Sequence, residues 1–486
     1  MLSRYLLFLL PLFRDAAALP QLERRACAHD NCLRALIRSS AAALPFCFTY
    51  TGAVQTATTS LPAYATACAE QPARISSACS CLPAAVSTTI TALPTVSATT
   101  TSTSSTPTST SPVLRFTEDG TFHLAVFNDL HYGEAENTDW GPEQDVYSEM
   151  VINNVLDNET PQLVIINGDF ITGENTFLEN STLYVDEVVR PLVQRNLLWA
   201  STYGNHDSDY NISREGIFER EKSYPNSLTE NMVSGRNAGV SNYWLPVYPS
   251  DKTKDTPALL MWFFDSRGGN YFQELDENGL VVTQPSWVDV SVVDWFKQTR
   301  DELTAKWGVL PSIAFVHIPV IAMQAFQSQN NGNGVSATQE PGINDDNPLA
   351  IQGFSSGQGT STPGFTYDGQ DIPFMEALLD TPGLTTTFSG HDHGDDWCFK
   401  WDSQLPGMNL TGNGIDMCFG RHSGYGGYSS WTRGSRQILL NETTLGNRID
   451  TWVRLEDGTI SGQVTLNSTY GIDEYAVVAN TETNLP

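Results

Sequence analysis

The run Leu124-Ala125-Val126-Phe127-Asn128-Asp129-Leu130-His131 changes character at one point. Four apolar residues suited to a buried strand give way to a carboxylate and an imidazole, groups that belong at the mouth of a sheet and not inside it. The same change recurs down the chain. Leu163 to Ile166 runs into Gly168-Asp169, Leu197 to Ala200 into Gly204-Asn205-His206-Asp207, and Ile313 to Val316 into His317. Thr385 to Phe388 precedes Gly390-His391-Asp392-His393. Five of the chain's eight histidines fall in these motifs, most of them just past an apolar strand pattern.

Between the motifs lie stretches whose apolar residues recur every three or four positions: Val146 to Leu156, Leu183 to Val193, and Val292 to Trp307. A further strand pattern covers Leu259 to Phe264, where Trp262-Phe263-Phe264 reads as core. Strands alternating with helices predict an α/β domain with a largely parallel sheet covered on both faces, and such sheets place their sites at the carboxyl ends of strands. Ser328 to Pro363, rich in Gly, Asn, Gln and Ser, predicts a long surface insertion near the site, with the makings of a lid.

At 486 residues the chain is long enough for two or more units. Lys and Arg total 26 against 55 for Asp and Glu, a formal charge of -29, and such a field repels nucleic-acid backbones. An anionic substrate therefore needs a local positive centre, and bound metal ions are the natural source.

The N-terminus has Arg4, an apolar stretch from Tyr5 to Phe13, and small residues at Ala16 to Ala18, which predicts a signal peptide over residues 1–18. No stretch is read as a transmembrane segment. Cys27, Cys32, Cys47, Cys68, Cys79 and Cys81 lie in a small module over 26–82, and Cys398 and Cys418 lie far downstream. The even count in each region predicts three disulfides in the module and one joining Cys398 to Cys418. Residues 83–112 form a Ser/Thr/Pro-rich spacer before a large domain over 113–486. This layout predicts a secreted protein, extracellular or held in the cell wall or vacuole, with a module able to contact cell-wall polysaccharide. Asn158, Asn180, Asn211, Asn409, Asn441 and Asn467 begin glycosylation sequons.

Carboxylates, imidazoles and an amide oxygen are the donors a hydrolytic divalent-metal site uses. A single Asp can bridge two ions roughly 3.5 to 4 Å apart, and a water between them becomes a nucleophile near neutral pH. Asp169, short and preceded by Gly168, is the candidate bridge.

With all five motifs in order over residues 118–470, the chain resembles the calcineurin-like metallophosphoesterases. The resemblance implies a layered β-sandwich flanked by helices. It implies one metal held by Asp129, His131, Asp169 and His393, and a second held by Asp169, Asn205, His317 and His391, the ions being Mn, Zn or Fe. His206 would donate a proton to the leaving oxygen or stabilise charge on the phosphoryl group. Gly390 to His393, the Cys398 and Cys418 pair, and Gly420 to Tyr428 look like the branch that joins fungal cell-cycle-linked phosphatases to plant proteins named as purple acid phosphatases. Two positions depart from the typical purple pattern, Thr172 standing where a metal-binding Tyr is usual and His131 where a Gly is usual.

Asp207 is read either as orienting His206 or as capping the next helix. Arg421 and His422 are read either as phosphate contacts beside Asn205 and His206, because a guanidinium binds two phosphoryl oxygens in parallel, or as exposed side chains of a Gly-rich turn. Tyr425, Tyr428 and Arg433 are read as packing and surface residues. The resulting expectation is a phosphatase acting on a small phosphate ester or a phosphoprotein. Phosphodiester hydrolysis of nucleotides or lipid head groups is the second reading, and a wall-binding protein with the large domain as scaffold is the third.

Overall fold

The computed structural model describes residues 112–353 and 367–485, together with Cys47, Ile75 and Cys79. The chain divides into two units, residues 1–106 and 107–486. In the first, a disulfide joins Cys47 to Cys79. The signal peptide, the other four module cysteines, most of the spacer and residues 354–366 of the insertion lie outside the described residues.

The second unit has fourteen described strands. They are β1 (Thr121–Phe127), β2 (Leu163–Asn167), β3 (Trp199–Thr202), β4 (Tyr243–Val247), β5 (Leu259–Phe264), β6 (Asn270–Leu275), β7 (Val281–Thr283), β8 (Ser312–Val316), β9 (Leu384–Ser389), β10 (Cys398–Trp401), β11 (Ile415–Phe419), β12 (Gly434–Asn441), β13 (Ile449–Leu455) and β14 (Ile460–Leu466). One sheet runs β14-β13-β12-β1-β2-β3 and the other β10-β11-β9-β8-β5-β4, while β6 and β7 form a separate hairpin. β1, β2 and β3 are parallel, as are β5, β8, β9 and β11. The flanking strands β12 to β14, β4 and β10 run antiparallel to their neighbours. The expectation of one largely parallel sheet is thus corrected to two mixed sheets, and the layered sandwich implied by the resemblance is what the chain forms.

Period-two alternation explains the layering. Leu124, Val126, Leu163 and Ile165 from one sheet meet Met261, Phe263, Ile313, Phe315 and Phe388 from the other in a shared inner core. Phe263, Phe315 and Phe388 stack in series across β5, β8 and β9, with centroids 5.2 and 5.5 Å apart. The alternate residues face outward and are buried as well. Ala125, Phe127, Val164 and Ile166 pack under helices α1 (Trp140–Asn158) and α2 (Tyr184–Gln194) through Val151, Val155, Val185 and Val188. On the far side, Trp262, Phe264, Ala314 and Val316 pack under Val292 and Phe296 of the helix Val290–Trp307 and Phe374 and Leu378 of the helix Ile372–Leu379. Strands covered on both faces must be apolar throughout, which is why these runs lack polar alternation. Each fully buried large side chain contributes about 1.5–3 kcal/mol.

Cys398 and Cys418 are register partners on β10 and β11 and form the expected disulfide inside the inner core. No helix of the described residues is long and apolar enough to cross a membrane.

Candidate metal centre

All five motifs leave the carboxyl ends of parallel strands: Asp129 and His131 after β1, Asp169 after β2, Asn205 and His206 after β3, His317 after β8, and His391 and His393 after β9. Because the two sheets stack, these ends gather at one edge of the sandwich. Tight backbone turns aim the side chains. Asp129, His131, Asp169 and His391 adopt positive φ of 55°, 50°, 51° and 77°, a conformation that non-glycine residues seldom hold unless the surroundings fix it. The Asp169 carbonyl accepts from the N–H groups of both Leu130 and His131, at 2.8 and 2.9 Å, and so ties the first two motifs together.

Two motif glycines are required by crowding. A Cβ at Gly168 would lie 2.2 Å from His317 Nδ1, and one at Gly204 would lie 2.2 Å from Asp169 Oδ1. Only a residue without a side chain lets the loops close this far.

The donor atoms of Asp129, His131 and His393 lie within 4.8 Å of one another, as do those of Asp169, His317 and His391. A third such group, His131, Asp169 and His206, joins the two sets. His131 Nε2 is 3.2 Å from His393 Nε2, and His317 Nε2 is 2.9 Å from Asp169 Oδ2. Opposite ring atoms fix these orientations: His131 Nδ1 bonds Thr172 Oγ1 at 3.0 Å, His317 Nδ1 the Asn167 carbonyl at 2.8 Å, and His393 Nδ1 the Tyr428 carbonyl at 3.1 Å. Such bonds set which nitrogen is free to ligate. Asn205 Oδ1 and His391 Nε2 are buried without a hydrogen-bond partner. Buried polar atoms are rarely left so. A pair of divalent cations fits this donor set, supplying partners to both atoms and to the facing imidazole nitrogens.

Electrostatics point the same way. Burial, reinforced by neighbouring imidazoles, pushes His391 down to about 3 and holds His131 and His393 well below the usual histidine range, so all three are neutral, the form that ligates metal. Burial raises the Asp129 carboxyl to about 7, whereas at Asp169 the cationic tendencies of His317 and His206 overcome burial and hold the group well below the usual carboxylate range.

His206 lines the cavity of about 500 Å³ beside these donors. Its Nδ1 lies 2.7 Å from Glu174 Oε1, and its backbone N–H donates to Asp169 Oδ1 at 2.8 Å. Burial disfavours its charge, but Asp169 and Glu174 outweigh burial and push it up to about 10. Glu174 carries no sequence signal of its own. It arrives here because Gly173 N–H donates to the His206 carbonyl at 3.0 Å, pinning the 3-10 turn Gly173–Asn175 against the third motif.

Three expectations are corrected. Asp207 is fully buried and accepts from Gly204 N–H at 2.8 Å and Ile171 N–H at 3.1 Å, so it braces the loop backbone and neither orients the His206 ring nor caps a helix. Arg421 is 2% exposed, donating to the Thr432 carbonyl through Nε and Nη2 and pairing with Asp396 Oδ2 at 2.8 Å, which leaves it no phosphate to meet. His422 sits behind His393, ring centroids 3.9 Å apart, with Nε2 on the Gly426 carbonyl, so it backs a donor and does not line the cavity. Conversely, Tyr428 lines the cavity, stacking on His393 at 4.0 Å and accepting its backbone N–H through the hydroxyl at 2.9 Å. Asp346, Pro348 and Ala350 of the insertion line the same cavity.

Among known proteins, phosphatase DCR2 of Saccharomyces cerevisiae is 28% identical over 354 residues, covering 70% of this chain and 55% of that protein. This chain thus spans about half the length of the yeast relative. A probable inactive purple acid phosphatase 29 of Arabidopsis thaliana is 25% identical over 380 residues, covering 72% and 86%. A crystal structure of a dimetal phosphatase from Danio rerio matches 71% of this chain and 98% of its own, at 13% identity and a TM-score of 0.43. A family model described as calcineurin-like phosphoesterase matches residues 122–395, more than half of the sequence, and the chain belongs to that family.

Proposed function

We propose that this protein is an exported phosphatase that hydrolyses phosphate monoesters at a pair of divalent ions. The observation that carries the reading is the convergence of Asp129, His131, Asp169, His317, His391 and His393 in overlapping donor groups beside a cavity that Asn205 also lines, with Asn205 Oδ1 and His391 Nε2 unpartnered. Asp129, His131, Asp169 and His393 would hold one ion, and Asp169, Asn205, His317 and His391 the other. When bound, such a pair polarises the phosphoryl group and lowers the pKa of an intervening water to near neutrality. With Thr172 where a tyrosinate would be needed, Mn, Zn or ferrous iron suits the site.

The chain's own groups supply the rest. Thr172, the Asn167 carbonyl and the Tyr428 carbonyl lock three imidazoles so that no reorganisation accompanies reaction. His206, held by Glu174 and retaining its proton, donates it to the departing alcohol oxygen. The plant relatives are named as inactive; the case for activity here rests on this chain's complete donor set. The N-terminal signal pattern and the Cys47–Cys79 and Cys398–Cys418 disulfides support export, since such bridges persist in oxidising compartments.

The test is turnover of para-nitrophenyl phosphate and of its bis-ester by the full chain. Faster cleavage of the monoester, lost in His391→Ala, is the expected result. Faster cleavage of the bis-ester replaces the monoester reading, and no cleavage of either removes the hydrolytic one.

A further inference from the structure

Beyond the donor atoms, the remaining wall of the cavity is acidic. Glu134, Glu174, Asp346 and Asp392 all line it, and among the described residues no Lys or Arg does. Glu174 faces His206, and the other three make no ion pair within 4 Å among the described residues. Glu134 accepts from Gly427 N–H, Asp346 from Gly394 N–H at 2.7 Å and from the Tyr428 hydroxyl, and Asp392 Oδ1 from Ala350 N–H at 2.8 Å. Asp392 is 4% exposed, and its Oδ2 has no hydrogen-bond partner. Tyr428, 48% exposed, presents aromatic surface at the same wall.

A phosphoryl group belongs at the donor end of this cavity, so the alcohol portion of an ester must lie against the carboxylates. An anionic alcohol portion there meets like charge, on top of the field of a chain with formal charge -29. An ammonium group meets opposite charge and an aromatic ring able to bind a cation by its π face. We propose that the substrate is a phosphate ester whose alcohol portion carries an ammonium group, received by Glu134, Asp346 and Tyr428. This rests on the phosphatase reading above and names the substrate class for the same site.

The comparison that tests it uses phosphocholine and neohexyl phosphate, its uncharged isostere, with para-nitrophenyl phosphate as a reference. The expected kcat/KM for phosphocholine exceeds that for neohexyl phosphate by about tenfold or more at low salt, the gap narrowing as ionic strength rises. Within Glu134→Gln, and separately within Asp346→Asn, the ratio falls toward one whatever happens to the two rates individually. Calorimetric titration of Mn-loaded His206→Ala with the same two esters gives the same preference in Kd without turnover. Hydrolysis of the aryl and neohexyl esters with no preference for phosphocholine overturns the inference and leaves the phosphatase reading standing. Absence of all hydrolysis removes that reading, and equal Kd values in the titration then overturn the inference as well.

Discussion

Thr172 Oγ1 lies 3.0 Å from His131 Nδ1, so the two positions at which this chain departs from the typical purple-acid-phosphatase pattern are in contact. Both are buried, and the hydroxyl fixes the ring that would reach a metal ion. If His131 ligates, the two departures would act together, the first motif supplying an imidazole and the second the hydroxyl that orients it. Thr172→Val, which keeps the shape and deletes the bond, is expected to weaken metal binding about 10–100-fold with the fold intact. Competition against a chromophoric chelator measures it; unchanged affinity means that the ring is oriented by packing alone.

Glu174 is expected to set the basic limb of the pH–rate profile. His206 must be protonated to donate, and Glu174, 2.7 Å from its Nδ1 and not itself among the metal donors, is a carboxylate that raises its pKa against the effect of burial. Removing that charge lowers the pKa, so in Glu174→Gln activity declines at a lower pH than in wild type. Profiles of kcat against pH for the two proteins decide the point, and coincident basic limbs count against a proton held on His206.

Arg421 is expected to matter for folding and not for substrate. Deleting the guanidinium leaves Asp396 buried without its cation, a change that costs about 3–5 kcal/mol. Arg421→Met should unfold at much lower denaturant concentration, while the fraction that folds keeps a wild-type KM. A stable Arg421→Met protein with a greatly raised KM would restore the phosphate-binding role.

Glu340 provides a pH-dependent stability test away from the site. Burial pushes its carboxyl up to about 7, with the Ser336 N–H pulling only partly the other way. Because the folded value lies above the ordinary 4.5, the group's favourable contribution is complete below pH 4.5 and is lost as pH rises through 7. Glu340→Gln keeps an acceptor and avoids the charge. It should therefore be the more stable protein at alkaline pH, by roughly 2 kcal/mol, and about equal to wild type in mild acid. Thermal melts across that range test this; a difference independent of pH contradicts it.

What the sequence made legible divides along physical lines. β1, β2, β5 and β8 are covered on both faces, so continuous apolar runs betray them, and the polar motifs that follow β1, β2 and β8 mark the site. β10 to β14 were not legible. β12 buries Ser435, Arg436 and Gln437, with the Arg436 guanidinium satisfied by the carbonyls of Phe419 and Asp396, and β14 buries only Val464 and Leu466 fully. Neither presents an apolar run, and one parallel sheet was inferred where two mixed ones stand. The Gly-rich segment after Arg421 suggested an exposed turn, yet a Cβ at Gly427 would lie 2.4 Å from His393 Cε1, so that glycine serves close packing around the donors. Glu174 and Tyr428 reach the cavity through loop contacts far apart in sequence, which no spacing rule encodes.

The seven converging donors, with Asp169 common to both sets, would hold a pair of divalent ions. Metal stoichiometry by elemental mass spectrometry, on full-length wild type and Asp169→Ala equilibrated with Mn and freed of loosely bound ions, tests it most directly. Two ions per wild-type chain and a sharp fall in the variant are the expected result. Less than one ion per wild-type chain, or an undiminished count in Asp169→Ala, would contradict it.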